Sequence, residues 1–296
     1  MNDIGFHTAL QINTKDTDDS VLTWAETWLV NDAGEIDEEV LERFRSQRLN
    51  WFACYLFPMM ETNKLDSIAK LFFCMFLLDD LLDLMEGEEA ESLLEEMTQS
   101  ELKQGKHLLS QLGLPIDVCY EKVLGYFSSD NQKARFNHVW DLYVAGLQWE
   151  INNKNGIWKL TLENYQEMRP HSSGVFIAIE LLREDRGYYL FDTNELENDI
   201  ARFICLSNDL ISASKEYQIA DRHNEVLLLS EAFGQEEAVN RVMGELAYLN
   251  KKIIKSSQLI SSVSKENKSW VDSLLLLLGG CLYWSGETER YADSGD

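Results

Sequence analysis

Basic residues are scarce. The 296-residue chain carries 26 Lys and Arg against 51 Asp and Glu, a formal net charge of -25. That balance excludes attachment to nucleic acid, which needs Lys and Arg to neutralise phosphates. It equally excludes docking on an anionic membrane. Proline is scarcer still: Pro58, Pro115 and Pro170 are the only three, and none lies in a Pro/Gly/Ser-rich linker. Nothing marks a domain boundary, so residues 1–296 are expected to form a single domain. The five cysteines (Cys54, Cys74, Cys119, Cys205, Cys281) are odd in number, scattered and without a C-x-x-C pair. They read as reduced core thiols of a cytoplasmic protein rather than a disulfide framework. The first residues are polar and acidic, unlike a signal peptide. The longest apolar stretch, 274–283, is too short to span a bilayer and is interrupted by Gly279 and Gly280. Hairpin signals, solenoid repeats and low-complexity tracts are missing as well.

What remains is helical periodicity in a chain that is 45% hydrophobic. Apolar residues recur at helical spacing over 24–29, 38–57, 65–85, 88–112, 135–151, 162–168, 175–182, 195–217, 231–257 and 269–284. Residues 1–23 read as an extended lead-in, 152–156 as a turn and 187–192 as a short connection. Arg169-Pro170 is expected to interrupt a helix just before Ser172-Ser173-Gly174. About ten or more helices without strands make an all-α bundle the expected architecture.

Two constellations carry chemistry. Residues 72–83 read FFCMFLLDDLLD, an apolar run that ends in Asp79, Asp80 and Asp83. On a helix, Asp79 and Asp83 lie one turn apart on one face, with Asp80 beside them. Three carboxylates at the end of a buried helix repel one another and lose hydration, and a hard divalent cation relieves both problems. A merely solvated helix end is the other reading. Residues 208–216 read NDLISASKE, in which Asn208, Ser212 and Glu216 stack at i, i+4, i+8. An amide oxygen, a hydroxyl and a carboxylate in line suit a hard cation, and Lys215 adds a mobile positive charge beside them. The alternative is a polar surface stripe with Ser212 bonded back to its own helix. Taken together, two oxygen-rich helix faces embedded in apolar helices would form the lips of one cleft, with cations between them able to bind a diphosphate.

With these motifs the chain resembles the class I terpene synthases, especially the compact bacterial kind. DDLLD at 79–83 is similar to the family's aspartate-rich motif, and NDLISASKE to its second metal motif. Arg169, ahead of the Ser172-Ser173-Gly174 break, resembles the family's diphosphate-sensing arginine. Arg290-Tyr291 resembles its C-terminal Arg-Tyr pair, with Trp284 at family-like spacing before it. His223-Asn224 resembles a pair often found after the second motif. One departure is that Ser172 and Ser173 fill the places where the family has a linker and a small effector residue, with Gly174 one later.

The resemblance implies a helical bundle around a central apolar cavity and a carbon–oxygen lyase acting on a linear isoprenyl diphosphate. Farnesyl is expected first and geranylgeranyl next. It implies three Mg²⁺ ions, with Mn²⁺ as a possible substitute: two held mainly by Asp79 and Asp83, the third by Asn208, Ser212 and Glu216. Arg169, Lys215, Arg290 and Tyr291 would donate to the diphosphate. Phe76, one turn before Asp79, and Trp284 would face the reacting hydrocarbon, as would Ser173 and Gly174 at the break. Phe52, Phe72 and Phe176 serve equally well as core, Phe52 most of all. The resemblance leaves monomer and homodimer open. It is shared in part with chain-elongating isoprenyl diphosphate synthases, which should carry a second Asp-rich motif in place of NDLISASKE. A non-catalytic helical metal-binding or interaction protein is the alternative of another class.

Overall fold

A computed structural model describes residues 15–29, 38–85, 87–98, 115–183 and 192–291. The expectations for residues 1–14, 99–112 and 187–191 lie outside them. Among the described residues there is no strand, and the helices are α1 (Lys15–Ala25), α2 (Glu38–Ser46), α3 (Phe52–Leu56), α4 (Thr62–Leu82), α5 (Gly87–Glu96), α6 (Ile116–Leu124), α7 (Asp130–Lys154), α8 (Leu162–Ser172), α9 (Val175–Leu182), α10 (Asn194–Gln218), α11 (Glu225–Phe233), α12 (Gln235–Ser261) and α13 (Lys265–Glu287). Short 3₁₀ turns cover Leu49–Trp51 and Glu289–Tyr291. The fold is an all-α bundle, as expected.

α4 is the central rod. Ile68, Leu71, Phe72, Phe73, Cys74, Met75 and Leu78 are buried all round it, and it packs against α1, α3 and α6. Glu61 caps its start by accepting from the amides of Asn63 and Lys64, which is the role a carboxylate plays best at the positive end of a helix. α13 packs against α3, α10 and α12, while α7 packs against α5, α8 and α9. Capping boxes at Ser129/Gln132 and Thr161/Asn164 fix the starts of α7 and α8. All five cysteines are free and buried.

Several boundaries differ from the sequence reading. The helix read over 38–57 is α2, a 3₁₀ turn and α3, and α7 runs to Lys154, into the stretch read as a turn. Helix begins at Lys15, inside the stretch read as a lead-in, because Val21, Leu22 and Ala25 bury one face on α4. The polar residues before them hide that period. α8 runs through Arg169 and Pro170 to Ser172. The capping box that starts the helix is eight residues upstream of Arg169, and the chain leaves the helix instead at Gly174, which takes a left-handed φ of 71°. The helix read over 231–257 is two helices, since Gly234 (φ 84°) separates α11 from α12.

Candidate active site

The ends of α4 and α10 open into the same cavity, about 230 Å³ in volume. Asp79, Asp80 and Asp83 reach it from α4, and Asn208, Lys215 and Glu216 from α10. Arg169, Ser173 and Gly174 enter from the α8–α9 break, and Trp284, Arg290 and Tyr291 from the C-terminal segment. Phe76 lies in the wall between the aspartates and the interior. Residues far apart in sequence are thus brought together as expected, with one exception. Ser212 does not line the cavity; it is buried, its hydroxyl donates to the Asn208 carbonyl at 3.0 Å, and it accepts from Asn224 Nδ2 at 3.3 Å.

The electrostatics follow from where the carboxylates sit. Asp79, Asp80 and Asp83 close α4 and Glu216 lies in the last turn of α10, where unpaired carbonyls already carry partial negative charge. Asn208 and Ser212 lie further back along α10. The Asp79 side chain is about half exposed at the cavity mouth. Desolvation pushes its carboxyl up to about 6, Asp83, Glu150 and Asp80 add repulsion, and Arg290 opposes them. Glu216 is pushed up to about 7 by desolvation and by Asp209, against Arg169 and hydrogen bonds from Asn224 and Ser212. Arg290 at Asp79 and Arg169 near Glu216 offset only part of this, and a bound cation would relieve the rest.

Protein cations hold most of the remaining acceptors. Arg290 donates to Asp79 Oδ2 at 3.0 Å and Asp80 Oδ1 at 2.8 Å. Its guanidinium lies 5.1 Å from the Phe76 ring centroid. Burial alone would lower its pKa, but Asp79 and Asp80 raise it. Arg169 donates to Asn208 Oδ1 at 2.8 Å and to Asp209 Oδ1 at 3.3 Å. Asn208 Nδ2 in turn donates to the Tyr291 hydroxyl at 2.7 Å. Asp209 is fully buried, accepting from Tyr165 Oη and the Glu225 amide, so it anchors Arg169 from behind. Among the described residues no group of three or more His, Cys, Asp or Glu is already spaced as a metal cluster. The donor set of hard oxygens nonetheless fits Mg²⁺ or Mn²⁺, with the guanidinium groups standing where cationic charge is needed.

Below the polar mouth the wall is apolar. Phe52, Phe72, Phe76 and Trp284 form a joined cluster, with Phe52 at 5.0 Å from Phe76 and 4.8 Å from Trp284. Phe52 therefore faces the cavity rather than the core that the sequence favoured. Phe176 is the reverse case: its ring packs tilted against His171 at 5.3 Å and is not in the lining. Tyr143, read as core from its aromatic helix, lines the cavity, because α7 turns that face inward. Glu150, Lys154 and Asp221 also line it and were missed, and His223, noted in the sequence only through the resemblance, lines it as well. The i, i+4 pair Glu150/Lys154 at the end of α7 was the signal that could have found two of them.

Comparison with known proteins agrees with this geometry. Residues 70–250, more than half of the chain and inclusive of both acidic motifs, match the family described as "Terpene synthase family 2, C-terminal metal binding". The chain belongs to that family. It is 28% identical to pristinol synthase of Streptomyces pristinaespiralis over 188 residues, which cover 55% of this chain but only 49% of that protein. It is 25% identical to (+)-eremophilene synthase of Sorangium cellulosum over 278 residues, covering 86% of this chain and 82% of that one. The 4-epi-cubebol synthase of Streptosporangium roseum, described as farnesyl diphosphate cyclizing, is 24% identical over 90% of this chain and 85% of its own. In fold, the chain superposes on a-eudesmol synthase with a TM-score of 0.77 at 17% identity, covering 96% of this chain and 97% of the other. The linalool/nerolidol synthase of Streptomyces clavuligerus gives 0.76 at 17% identity, covering 95% and 99%. The chain is a class I terpene synthase by family, and family membership carries divalent-metal use with it. No helix of the described residues is long and apolar enough to cross a membrane.

Proposed function

We propose that this terpene synthase ionises farnesyl diphosphate and cyclises the resulting carbocation to a sesquiterpene hydrocarbon or alcohol, releasing diphosphate. The observation that carries the reading is the shared cavity: two oxygen-bearing helix ends at its mouth and an aromatic wall beneath. Sesquiterpene chemistry in the printed names of its relatives favours farnesyl over geranylgeranyl.

Three Mg²⁺ ions, replaceable by Mn²⁺, would be held by Asp79 and Asp83 on one lip and by Asn208, Ser212 and Glu216 on the other, with Asp80 kept on Arg290. Ser212 joins this set by turning its hydroxyl away from the Asn208 carbonyl. When bound, the ions stabilise the negative charge that develops on the leaving diphosphate. The chain's own donors share that task. Arg169, Lys215, Arg290 and Tyr291 converge on the mouth, and arginine forks bind phosphate oxygens bidentately while staying charged. Water must be kept from the carbocation, and Phe52, Phe72, Phe76 and Trp284 make a dry wall whose π-faces stabilise positive charge. The Ser173–Gly174 break brings backbone polar groups to the same space. Only Gly takes its left-handed turn without strain, and a Cβ there would approach the Met75 methyl to 2.8 Å.

Incubation with geranyl, farnesyl and geranylgeranyl diphosphates plus Mg²⁺, followed by mass spectrometry of the organic extract, tests the reading. A cyclic or hydroxylated C15 product from farnesyl diphosphate alone is expected. Chain extension on adding isopentenyl diphosphate would instead indicate an elongating synthase. No product from any substrate, with no shift in melting temperature by Mg²⁺ and inorganic diphosphate, would indicate a non-catalytic protein.

A further inference from the structure

Among the described residues that line the cavity, Lys154 is a further cation at the mouth. Lys154 is the last residue of α7, and its ammonium is paired with Asp83 and lies 3.5 Å from Asp221 Oδ2. Asp83 closes the first acidic motif, and Asp221 follows the second by five residues. One side chain thus ties the two lips together from a third helix. Asp79 and Asp80 have Arg290, whereas the ion pair of Asp83 is with Lys154.

Each side of this bridge is built by local structure. α10 ends with Asp221 N–H donating to the Glu216 carbonyl at 2.9 Å and Ala220 N–H to the Tyr217 carbonyl at 3.2 Å. This is the double bond pattern of a left-handed helix cap. Ala220 takes the left-handed position, at φ 58°, where glycine is the usual occupant. The cap turns Asp221 back toward the cavity, where Asp221 Oδ1 is also hydrogen-bonded to His223 Nδ1 at 2.9 Å. On the other side, Asn155 sits so close to the start of α5 that a Cβ on Gly87 would collide with its amide. The end of α7 is therefore pressed onto the segment that follows Asp83.

A lysine ammonium is a compact point charge on a flexible stem, and it can leave without disturbing the helix that carries it. We propose that Lys154 bridges Asp83 and Asp221 across the mouth of the cation-free protein, and that a divalent cation fills the Asp83 position only as this ammonium departs. Lys154 then sets the cation concentration at which the site fills, and it keeps the acid-rich mouth from splaying while the site is empty. The inference rests on the reading of Asp83 as a metal ligand.

The test measures Mn²⁺ uptake directly, from the electron paramagnetic resonance signal of free Mn²⁺, without substrate and at fixed ionic strength. Lys154→Gln and Lys154→Met are expected to half-saturate at Mn²⁺ concentrations lower than wild type by about fivefold or more, since each removes a competing charge within ion-pair distance. Lys154→Arg, which restores the charge, should stay within about twofold of wild type, as should Lys159→Gln, which removes a positive charge five residues further along the chain. If Lys154→Gln and Lys154→Met bind Mn²⁺ no more tightly than wild type, the bridge does not compete with the cation and the inference fails while the terpene synthase reading stands. An equal gain in Lys159→Gln would also overturn it, by assigning the effect to overall charge. Were wild type to take up no Mn²⁺ even with inorganic diphosphate present, the metal-site reading itself would fall, and the inference with it.

Discussion

Arg290 donates to Asp79 Oδ2 at 3.0 Å across 211 residues of sequence, folding the C-terminal segment onto the end of α4. The same guanidinium serves Asp80 and rests against Phe76. The guanidinium that pairs with these two acids also lines the cavity mouth, where a diphosphate leaving group would need a donor. Arg290→Ala is therefore expected to lower kcat with farnesyl diphosphate by about a hundredfold or more, the scale of losing one charged transition-state donor. The bundle should stay folded, because Arg290 lies beyond the last long helix. Steady-state kinetics and a melting curve check both halves, and a variant within threefold of wild-type turnover would remove Arg290 from the donor set.

The raised carboxyls give a pH dependence with a definite sign. Asp79 stands at about 6 and Glu216 at about 7, above their ordinary 3.8 and 4.5. A carboxyl raised by folding favours the folded state while it is protonated. That contribution is complete below the ordinary values and is lost as pH rises through 6 to 7. Metal-free protein should accordingly lose melting temperature between pH 5 and pH 8 on account of these two groups. Cations bind the ionised form, so the stabilisation by Mg²⁺ with inorganic diphosphate should be larger at pH 8 than at pH 5.5. Equal stabilisation at the two pH values, in a thermal-shift series in EDTA and in Mg²⁺, would contradict the shifts.

Much of this site was legible in the chain because its chemistry is local. DDLLD and NDLISASKE each place their donors by helical period alone, and both helix ends do face one cavity. Two kinds of feature were not legible. Which aromatic rings face the cavity depends on how helices rotate against one another: Phe52 turned inward, Phe176 outward, and Tyr143 lines a wall that its helix gave no sign of. The ion pairs depend on distant segments meeting, so Lys154 could not be matched to Asp83 and Asp221 from spacing. Ser212 marks the limit of pattern reading. It stands at i+4 from Asn208, yet its hydroxyl donates to the carbonyl of Asn208 on its own helix rather than into the cavity. Pro170 misled for a related reason, since a helix well capped at Thr161 and packed on α7 tolerates it in its last turn.

Gly174 offers a test of the break itself. Its φ of 71° strains any residue with a Cβ, and the added methyl would meet the Met75 side chain at 2.8 Å. Gly174→Ala should cost about 1–2 kcal/mol from the left-handed backbone alone, and Met75 must also shift at the cavity wall. Chemical denaturation would read the loss as a lower midpoint at unchanged slope. An unchanged midpoint would show that the break relaxes easily and does not fix the wall.

Phe76 separates the two jobs of the aromatic wall. Its ring lies 5.0 Å from Phe52 and 5.3 Å from Trp284, one turn inside Asp79. A desolvated cation–π contact is worth about 2 kcal/mol, or about thirtyfold in rate. Phe76→Leu keeps the apolar wall but removes the π-face, so product formation should slow by roughly ten- to thirtyfold on that same basis, and the product mixture should shift toward earlier-quenched species. Phe76→Tyr should retain most of the rate. Because the ring also carries Arg290, the loss could arise through the diphosphate instead. Inhibition by inorganic diphosphate distinguishes the routes: an inhibition constant within threefold of wild type places the effect on the hydrocarbon side, whereas a larger rise places it on Arg290.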